Sequence, residues 1–263
     1  MSPSIPSLRD IIRDIVREEL KKLLPTAERP AVISVAEVVR DEVQRLLTNP
    51  RHLSKAGETL LEVGSGPMVW CSLVASSRFK HIVLSDIAEC NRLELEKWLN
   101  KDKDAIDWTT RAEEVADLEG YSDKKKGAVE ILKRTRSAIR KVVPCDVLEP
   151  GVLPEEHRET FDVVLSSGCL DSATADHESF RRALRNVGAL ANSGGLLVLV
   201  GFGGLKSYPV GNVDFPHANL TEDALDQAVA DAGFQTKLYE SVPLGAIMDS
   251  PEVFRFILAA RKA

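Results

Sequence analysis

The chain has 263 residues, of which 44% are hydrophobic and 28% are charged, a composition typical of a globular protein with a substantial core. A net charge of −6 and a pI near 5.5 exclude a globally basic surface of the kind that attracts nucleic acid. No apolar run reaches the roughly 20 residues that a membrane-spanning helix needs, and the N-terminal stretch is too charged for a secretory signal. The four cysteines are widely spaced, which favours reduced thiols over disulfides or a zinc site. We therefore expect a cytoplasmic protein without a metal, nucleic-acid or membrane partner.

Two helices are predicted before the first strand. Residues 7–24 carry leucine and isoleucine at helical spacing with charges between them, and Pro25 stops the pattern. Residues 35–47 repeat such a pattern and are closed by Asn49-Pro50. The apolar stripe of the first helix is narrow, as in a coiled-coil seam. We expect this helix to pack on its own domain in a monomer, with a dimer through it as the alternative.

From residue 58 onward, short apolar runs alternate with helical patterns. Strands are predicted at 59–63, 81–84, 141–143, 161–165, 196–201, 236–239 and 254–259. Helices are predicted at 68–76, 90–99, 127–138, 178–190 and 222–232. The pattern indicates a Rossmann-like α/β fold: a seven-stranded, mostly parallel sheet with helices on both faces and an antiparallel edge strand at the end. We expect one domain over residues 1–263, with 1–57 as an N-terminal helical cap or lid and 58–263 as the core.

A glycine turn follows the first predicted strand. Gly64-Ser65-Gly66-Pro67 lets a ligand approach bare backbone, while the next helix points its N-terminal amides at that ligand. The dinucleotide fingerprint G-x-G-x-x-G is not met, because Val69 stands at the third glycine position. The turn indicates a nucleotide-like ligand, and the alternative is a tight strand-to-helix turn without one.

Two aspartates follow the next two strands. Asp86 ends the second strand about 20 residues after the glycines, where a carboxylate can bind ribose hydroxyls, and the alternative is a helix cap. Asp146 follows the third strand, where it could bind an adenine amino group or simply stabilise a turn. With the glycine turn, these residues indicate an adenosine-containing cofactor. They do not by themselves separate S-adenosylmethionine from a nicotinamide dinucleotide.

Longer stretches of the chain resemble a known family. The stretches that carry the resemblance are Glu62-Val63-Gly64-Ser65-Gly66-Pro67, Leu95-Glu96-Lys97-Trp98-Leu99, Asp107-Trp108, Asp117-Leu118-Glu119-Gly120, Cys145-Asp146-Val147 and Leu165-Ser166-Ser167-Gly168-Cys169-Leu170-Asp171. In order and with similar gaps, they are similar to those of the nicotinamide, phenylethanolamine and indolethylamine N-methyltransferases. The resemblance covers roughly residues 58 to 263.

This resemblance implies S-adenosyl-L-methionine as methyl donor, S-adenosyl-L-homocysteine as product and a small amine, an arylethylamine or azaheterocycle, as acceptor. The donor-binding residues that it implies are Gly64, Ser65, Gly66, Trp70, Asp86, Asn91, Asp146, Val147 and Ser167. It also places Tyr208 in the wall of the acceptor pocket. We add Phe202, on a loop that Gly203, Gly204 and Gly211 would make flexible, and Asp249 near the last hairpin as candidate substrate-binding residues.

Asp171 falls at the acidic position of the family's amine pocket. Methyl transfer from a sulfonium needs alignment and exclusion of water rather than a covalent nucleophile, which agrees with the lack of a Ser-His-Asp or Cys-His pattern. A carboxylate can orient the amine, take a proton and stabilise the developing cation, so we expect Asp171 to be catalytic. The alternative is a turn cap shared with Ser172 and Asp176. The five histidines are expected to be solvated or core residues.

Two departures from the family pattern bear on function. No tyrosine precedes the first strand, where the family's lid carries them, and Gly201 stands where the nicotinamide members have an acid. Nicotinamide is therefore not the expected acceptor. The alternative is a catalytically weak or inactive donor-binding relative with a regulatory role. A nicotinamide-dependent oxidoreductase is a third reading, which Pro67 and Val69 disfavour.

Overall fold

The computed structural model describes residues 59–210, 213–244 and 250–263. The predicted helices at 7–24 and 35–47, and with them the helical cap, lie outside the described residues. So do Gly211 and Asp249. In the part of the chain that the structure describes, no helix is long and apolar enough to cross a bilayer.

The described residues form nine strands and six α-helices. The strands are β1 (Thr59–Val63), β2 (His81–Asp86), β3 (Ile139–Pro144), β4 (Phe161–Ser167), β5 (Ala191–Gly203), β6 (Ser207–Val210), β7 (Val213–Pro216), β8 (Phe234–Pro243) and β9 (Phe254–Lys262). The helices are α1 (Trp70–Ala75), α2 (Glu89–Asn100), α3 (Thr109–Leu118), α4 (Lys124–Ala138), α5 (His177–Gly188) and α6 (Glu222–Asp231). All seven predicted strands and five predicted helices of the core are confirmed, with ends shifted by a few residues.

Seven strands form one sheet in the order β3-β2-β1-β4-β5-β9-β8, and β6 pairs with β7 in a separate hairpin. Strands β1 to β5 pair in parallel, which confirms a mostly parallel sheet. The predicted antiparallel edge strand is confirmed as β8, which pairs with β9. Strand β9 itself is antiparallel to both β5 and β8 and lies between them. Six of the nine residues of β9 are buried, whereas only one of the ten residues of β8 is. Only the inner position buries both faces of β9.

Two apolar cores cover the two faces of the sheet. Alternating residues of each strand point to opposite faces, so Leu60 belongs to one core and Leu61 to the other, both fully buried. Helices α1 to α4 supply the first core, and α5 and α6 supply the second. Helices on both faces leave the carboxyl ends of the parallel strands as the open edge where α/β proteins bind ligands.

The sequence patterns missed α3 and the β6–β7 hairpin. Helix α3 buries only Ala112, Val115 and Ala116, which is too few apolar residues for a clear helical period. The hairpin strands are four residues each and contain Pro209 and Pro216, which disfavour a strand prediction.

Candidate functional site

The glycine turn at the end of β1 is held by backbone hydrogen bonds to the neighbouring strand. The amides of Gly64 and Ser65 donate to the carbonyl of Ser85 at 2.8 and 3.0 Å. The amide of Gly66 donates to Asp86 Oδ2 at 2.8 Å. Gly64 and Gly66 have φ angles of +71° and +61°, which L-residues with a side chain rarely adopt. The backbone conformation therefore favours glycine at both positions.

Gly64 also lies against Cys169, the second residue after β4. A Cβ at Gly64 would lie 2.2 Å from Cys169 Sγ, whereas a Cβ at Gly66 would meet nothing closer than Met68 Cε at 3.8 Å. Burial raises the pKa of the Cys169 thiol well above its usual range and that of Cys145 to about 11. Both thiols are therefore protonated at neutral pH and are poor nucleophiles.

Asp86 is buried and connects the glycine turn to the start of α2. Its Oδ1 accepts hydrogen bonds from the amide of Ala88 at 2.8 Å and from Asn91 Nδ2 at 2.9 Å. With the Gly66 amide on Oδ2, three of about four acceptor positions of the carboxylate are used. The helix-cap alternative for Asp86 is wrong, because Ala88 is the N-cap of α2 and no side chain caps it. One acceptor position of the Asp86 carboxylate remains for a ligand hydroxyl. Asn91 lies beside it, where its amide can bind a second hydroxyl.

A groove of about 400 Å³ lies beside these residues, between the ends of β2 and β3. Its lining includes the aliphatic side chains of Ile87, Pro144 and Leu153 together with Asp146. Asp146 Oδ1 accepts from the amide of Leu148 at 2.9 Å, so the turn role considered for it is present. Val147 is buried, and its carbonyl accepts a hydrogen bond from Asn186 Nδ2 at 3.1 Å. Glu149 and Arg158 also line the groove, so it combines aliphatic surface with polar groups, which fits a flat, partly polar ring such as adenine.

Two predicted donor-binding residues, Trp70 and Ser167, make no hydrogen bond to the glycine turn or to Asp86 in the described part of the chain. Trp70 is the first residue of α1, half-buried against the first core. Ser167 is the last residue of β4, next to the buried Ser166, whose Oγ makes no hydrogen bond to any described residue. Both lie at the carboxyl edge, whereas Gly64, Gly66, Asp86 and Asn91 are directly linked.

Sequence reasoning gave no role to Glu62, a buried carboxyl group in β1. Its Oε2 accepts from Ser72 Oγ of α1 at 3.4 Å. Burial raises the pKa of Glu62 to about 8, and hydrogen bonds from Cys71 and Ser72 only partly oppose this effect. Glu62 is therefore mostly protonated at neutral pH, and its ionisation destabilises the folded protein.

The Glu62→Gln variant is expected to remove a pH dependence of stability. Between the ordinary glutamate pKa of 4.5 and the folded-state pKa of about 8, the folded chain binds one more proton than the unfolded chain, so stability falls as pH rises. The variant should match the wild type near pH 4.5 and be more stable at pH 8, by about 5 kcal/mol as an upper bound. Urea unfolding at both pH values measures this, with the exposed Glu96→Gln as control. An unchanged pH slope in Glu62→Gln would contradict the assignment.

On the acceptor side, Asp171 follows β4 and is buried, with 2% of its surface exposed. Its Oδ2 accepts a hydrogen bond from the amide of Phe202 at 2.8 Å. A Cβ on Gly201 would lie only 2.9 Å from that same oxygen. The carboxylate of Asp171 and the ring of Phe256, whose Cζ would lie 2.8 Å from that Cβ, together fill the space of a side chain at 201. The cap alternative for Asp171 is wrong, since Asp176 caps α5 by accepting from the Ser179 amide at 2.7 Å.

The prediction that residues 202 and 203 lie in a loop after the fifth strand is wrong. Phe202 and Gly203 belong to β5, and the contact of Phe202 with Asp171 is made by its backbone amide. A Cβ on Gly203 would lie 2.1 Å from Phe254, and one on Gly204 would lie 2.0 Å from the carbonyl of Glu252. These two glycines permit close packing of β5 rather than a flexible loop.

Tyr208 lies close to Asp171, as expected for the pocket wall. Its hydroxyl donates to the carbonyl of Ser172 at 3.3 Å, and its ring stacks on Phe215 with centroids 5.8 Å apart. The structure adds His217, which sequence reasoning missed. Its Nε2 lies 3.2 Å from Asp171 Oδ2. Nothing in the sequence signals this pair, because His217 lies on a hairpin that no pattern predicted.

Solved structures with a similar fold include S-adenosylmethionine-related enzymes. Magnesium protoporphyrin IX methyltransferase from Synechocystis PCC 6803 with bound SAH aligns with a TM-score of 0.58 over 97% of this chain and 98% of its own, at 13% identity. The 1,6-didemethyltoxoflavin-N1-methyltransferase of Burkholderia thailandensis aligns with a TM-score of 0.55 over 100% of this chain and 93% of its own, at 17% identity. At such identities these likenesses show the fold alone, and they confirm the Rossmann-like methyltransferase fold.

Sequence comparisons carry the assignment further. Human nicotinamide N-methyltransferase is 38% identical over 188 residues, covering 71% of this chain and 69% of that protein. Rabbit (Oryctolagus cuniculus) indolethylamine N-methyltransferase is 36% identical over 213 residues, covering 78% of each. The family profile described as "NNMT/PNMT/TEMT family" matches residues 25–262. The glycine turn, the buried acid after β2 and the aspartate after β4 thus stand in a chain that belongs to the NNMT/PNMT/TEMT family of methyltransferases.

Proposed function

We propose that this protein transfers the methyl group of S-adenosylmethionine to the nitrogen of a small amine. The observation that carries the proposal is the linked group at the carboxyl edge, in which the Gly66 amide and Asn91 both bind the Asp86 carboxylate beside an apolar groove. Membership of the family supports the same reaction. When bound, S-adenosylmethionine supplies a methyl group already activated on a sulfonium.

The donor would be held by residues from four strand ends. Gly64, Ser65 and Gly66 offer a turn without side-chain bulk for the methionine part, with Trp70 in the first turn of the following helix. Asp86 and Asn91 offer acceptor and donor atoms for the two ribose hydroxyls. The residues that would enclose the adenine and complete the site are Asp146, Val147 and Ser167.

The acceptor would lie over the ends of β4 and β5. Asp171 is the catalytic candidate, because it places a carboxylate beside Tyr208 in a place shielded from water. There it would orient the amine and receive the proton that the nitrogen releases. Tyr208 offers an aromatic wall, and Phe202 contributes the backbone amide that fixes Asp171. Asp249 stays a candidate outside the described residues.

Titration calorimetry of the wild type and of Asp86→Ala tests the donor site. Wild type is expected to bind S-adenosylmethionine and not NAD. Asp86→Ala should weaken donor binding about 30-fold, because the hydrogen bond from the ribose to the Asp86 carboxylate is lost and Asn91, which that carboxylate positions, is misplaced. Asp107→Ala, an exposed aspartate that bonds only Thr109 among the described residues, is the matched control. Unchanged affinity in Asp86→Ala would contradict the proposed site.

A turnover assay separates an enzyme from a donor-binding relative. Release of S-adenosylhomocysteine is measured with a set of small primary and secondary amines. Turnover supports the proposal, whereas donor binding without turnover of any amine would favour the regulatory alternative. Binding of NAD instead of the donor would favour the oxidoreductase.

We infer further that the protein works as a monomer in the cytoplasm without a nucleic-acid partner. The net charge of −6 and four free cysteines support this inference. A dimer through residues 7–24 is the alternative. Light scattering of the purified chain distinguishes the two, since a dimer would double the mass of 28.9 kDa.

A further inference from the structure

His217 is a buried imidazole whose surroundings do not explain it as a core residue. The ring is 2% exposed, and neither nitrogen makes an aligned hydrogen bond with any described residue, although Nε2 lies 3.2 Å from Asp171 Oδ2. A small rotation of the ring would align that contact. Leaving a buried polar group without a hydrogen bond costs about 1–3 kcal/mol, and Asp171 Oδ2 is the acceptor that Nε2 can reach.

The backbone holds the two side chains together. The amide of Ala218 donates to the carbonyl of Asp171 at 3.0 Å, and the amide of His217 donates to the carbonyl of Lys206 at 2.9 Å. The ring of Tyr208 packs edge-on against the imidazole, with centroids 6.1 Å apart and planes at 87°. His217 therefore lies where the β6–β7 hairpin, the turn after β4 and the ring of Tyr208 meet.

The carboxylate of Asp171 has two different sides. Oδ2 faces the Phe202 amide and His217, whereas Oδ1 accepts no hydrogen bond from the described residues. No lysine or arginine of the described part of the chain lies within ion-pair distance of Asp171; His217 is the cationic partner available to it. The two groups therefore form a pair that carries one negative charge with a neutral imidazole and no net charge after taking up a proton.

Resting on the proposed function, we propose that His217 is a positioning residue that makes Asp171 part of a proton-accepting pair, and that the acceptor is a primary or secondary amine. Such a nitrogen carries a hydrogen that it must lose. A pyridine-type nitrogen has no proton to lose, and the pair would contribute nothing to its methylation. The missing acid at Gly201, whose space Asp171 and Phe256 occupy, is consistent with this choice of acceptor.

The proton and electron pairs balance in this step. The nitrogen lone pair forms the bond to the methyl carbon, and the carbon–sulfur bond breaks with its electron pair left on sulfur. The N–H proton passes to the Asp171 carboxylate, which holds it together with the His217 imidazole, whose Nε2 lies 3.2 Å from Oδ2. Nothing is oxidised or reduced by the protein.

The test compares two probes, 2-phenylethylamine and quinoline, with S-adenosylmethionine as donor. Wild type is expected to methylate the amine at least about tenfold more efficiently than quinoline, in kcat/KM. In His217→Gln, kcat for the amine should fall about 100-fold with KM nearly unchanged, while any activity on quinoline stays within about threefold. The glutamine amide can still reach Asp171, so a merely structural histidine would be rescued.

Controls separate this inference from the proposed function. His177→Gln, at an exposed histidine that bonds the Asn219 carbonyl, should behave as the wild type, and donor affinity and thermal unfolding are measured for every variant. Full amine turnover in His217→Gln, or a wild-type preference for quinoline, would overturn the inference alone. Failure of the wild type to methylate any amine of the screening set, although it binds the donor, would overturn the proposed function and this inference with it.

Discussion

Gly64→Ala is expected to abolish measurable binding of S-adenosylmethionine and to lower the free energy of unfolding by about 3 kcal/mol or more. The added Cβ would lie 2.2 Å from Cys169 Sγ and 2.4 Å from Cys169 Cβ, at a φ angle of +71°. Relief requires moving either the turn or the start of the segment after β4, and both border the donor site. Calorimetry measures the affinity, and urea unfolding measures the stability.

Two other glycines separate the clash from backbone strain. Gly120→Ala, at a φ angle of +79° with open space around it, should cost only about 1–2 kcal/mol and leave donor binding intact. Gly66→Ala has similar strain and little clash, so it should be closer to Gly120→Ala in stability while still weakening donor binding. If Gly64→Ala were as stable as Gly120→Ala and bound the donor, the contact with Cys169 would not constrain this turn.

Asp171→Asn is expected to lower kcat for amine methylation about 1000-fold, within the range found for the loss of a proton acceptor. The asparagine carbonyl can still accept from the Phe202 amide, so the local fold should survive. Donor affinity should change less than about threefold, because Asp171 lies on the acceptor side. A threefold change is small, since about 1.4 kcal/mol of binding free energy corresponds to tenfold in affinity. The rate of S-adenosylhomocysteine release and donor calorimetry measure the two effects.

Asp176→Asn is the matched control for this prediction. Asp176 is exposed, five residues away in sequence, and caps α5 through the Ser179 amide. Asparagine is as good an N-cap as aspartate, so both the free energy of unfolding and kcat should stay at their wild-type values. A rate in Asp171→Asn above one third of the wild type would remove Asp171 from the catalytic role. Parallel loss of donor binding would instead assign it to the donor site.

The periodic parts of the fold could be predicted from sequence because burial on both faces leaves a simple pattern. Strands β1, β4 and β5 contain continuous apolar runs, and the glycine turn after β1 consists of consecutive residues that a short motif can identify. The position of β9 could not be predicted in the same way. An apolar run in the sequence indicates that β9 is buried on both faces. Which strands pair with it depends on the packing of the whole sheet. Helix α3, which buries three small apolar residues on one side, shows a pattern too weak to detect.

The donor side of the site was predicted largely from short-range spacing, because Gly64 and Gly66 lie within three residues of the end of β1 and Asp86 is the last residue of β2. Neither the hydrogen bond between the Gly66 amide and Asp86 nor the contact of Gly64 with Cys169 could be predicted. Both join segments that only the parallel pairing of neighbouring strands brings together.

The sequence by itself therefore determined the order of strands and helices, the glycine turn, the acids at the strand ends and the family. The tertiary structure alone decided that β9 is inserted beside β5, that Asp171 and Phe256 fill the space over Gly201, and that His217 faces Asp171. The physical reason is that local patterns record which face of an element is buried. The partner of a buried polar group lies far away in sequence, and no local pattern records which distant residue satisfies it.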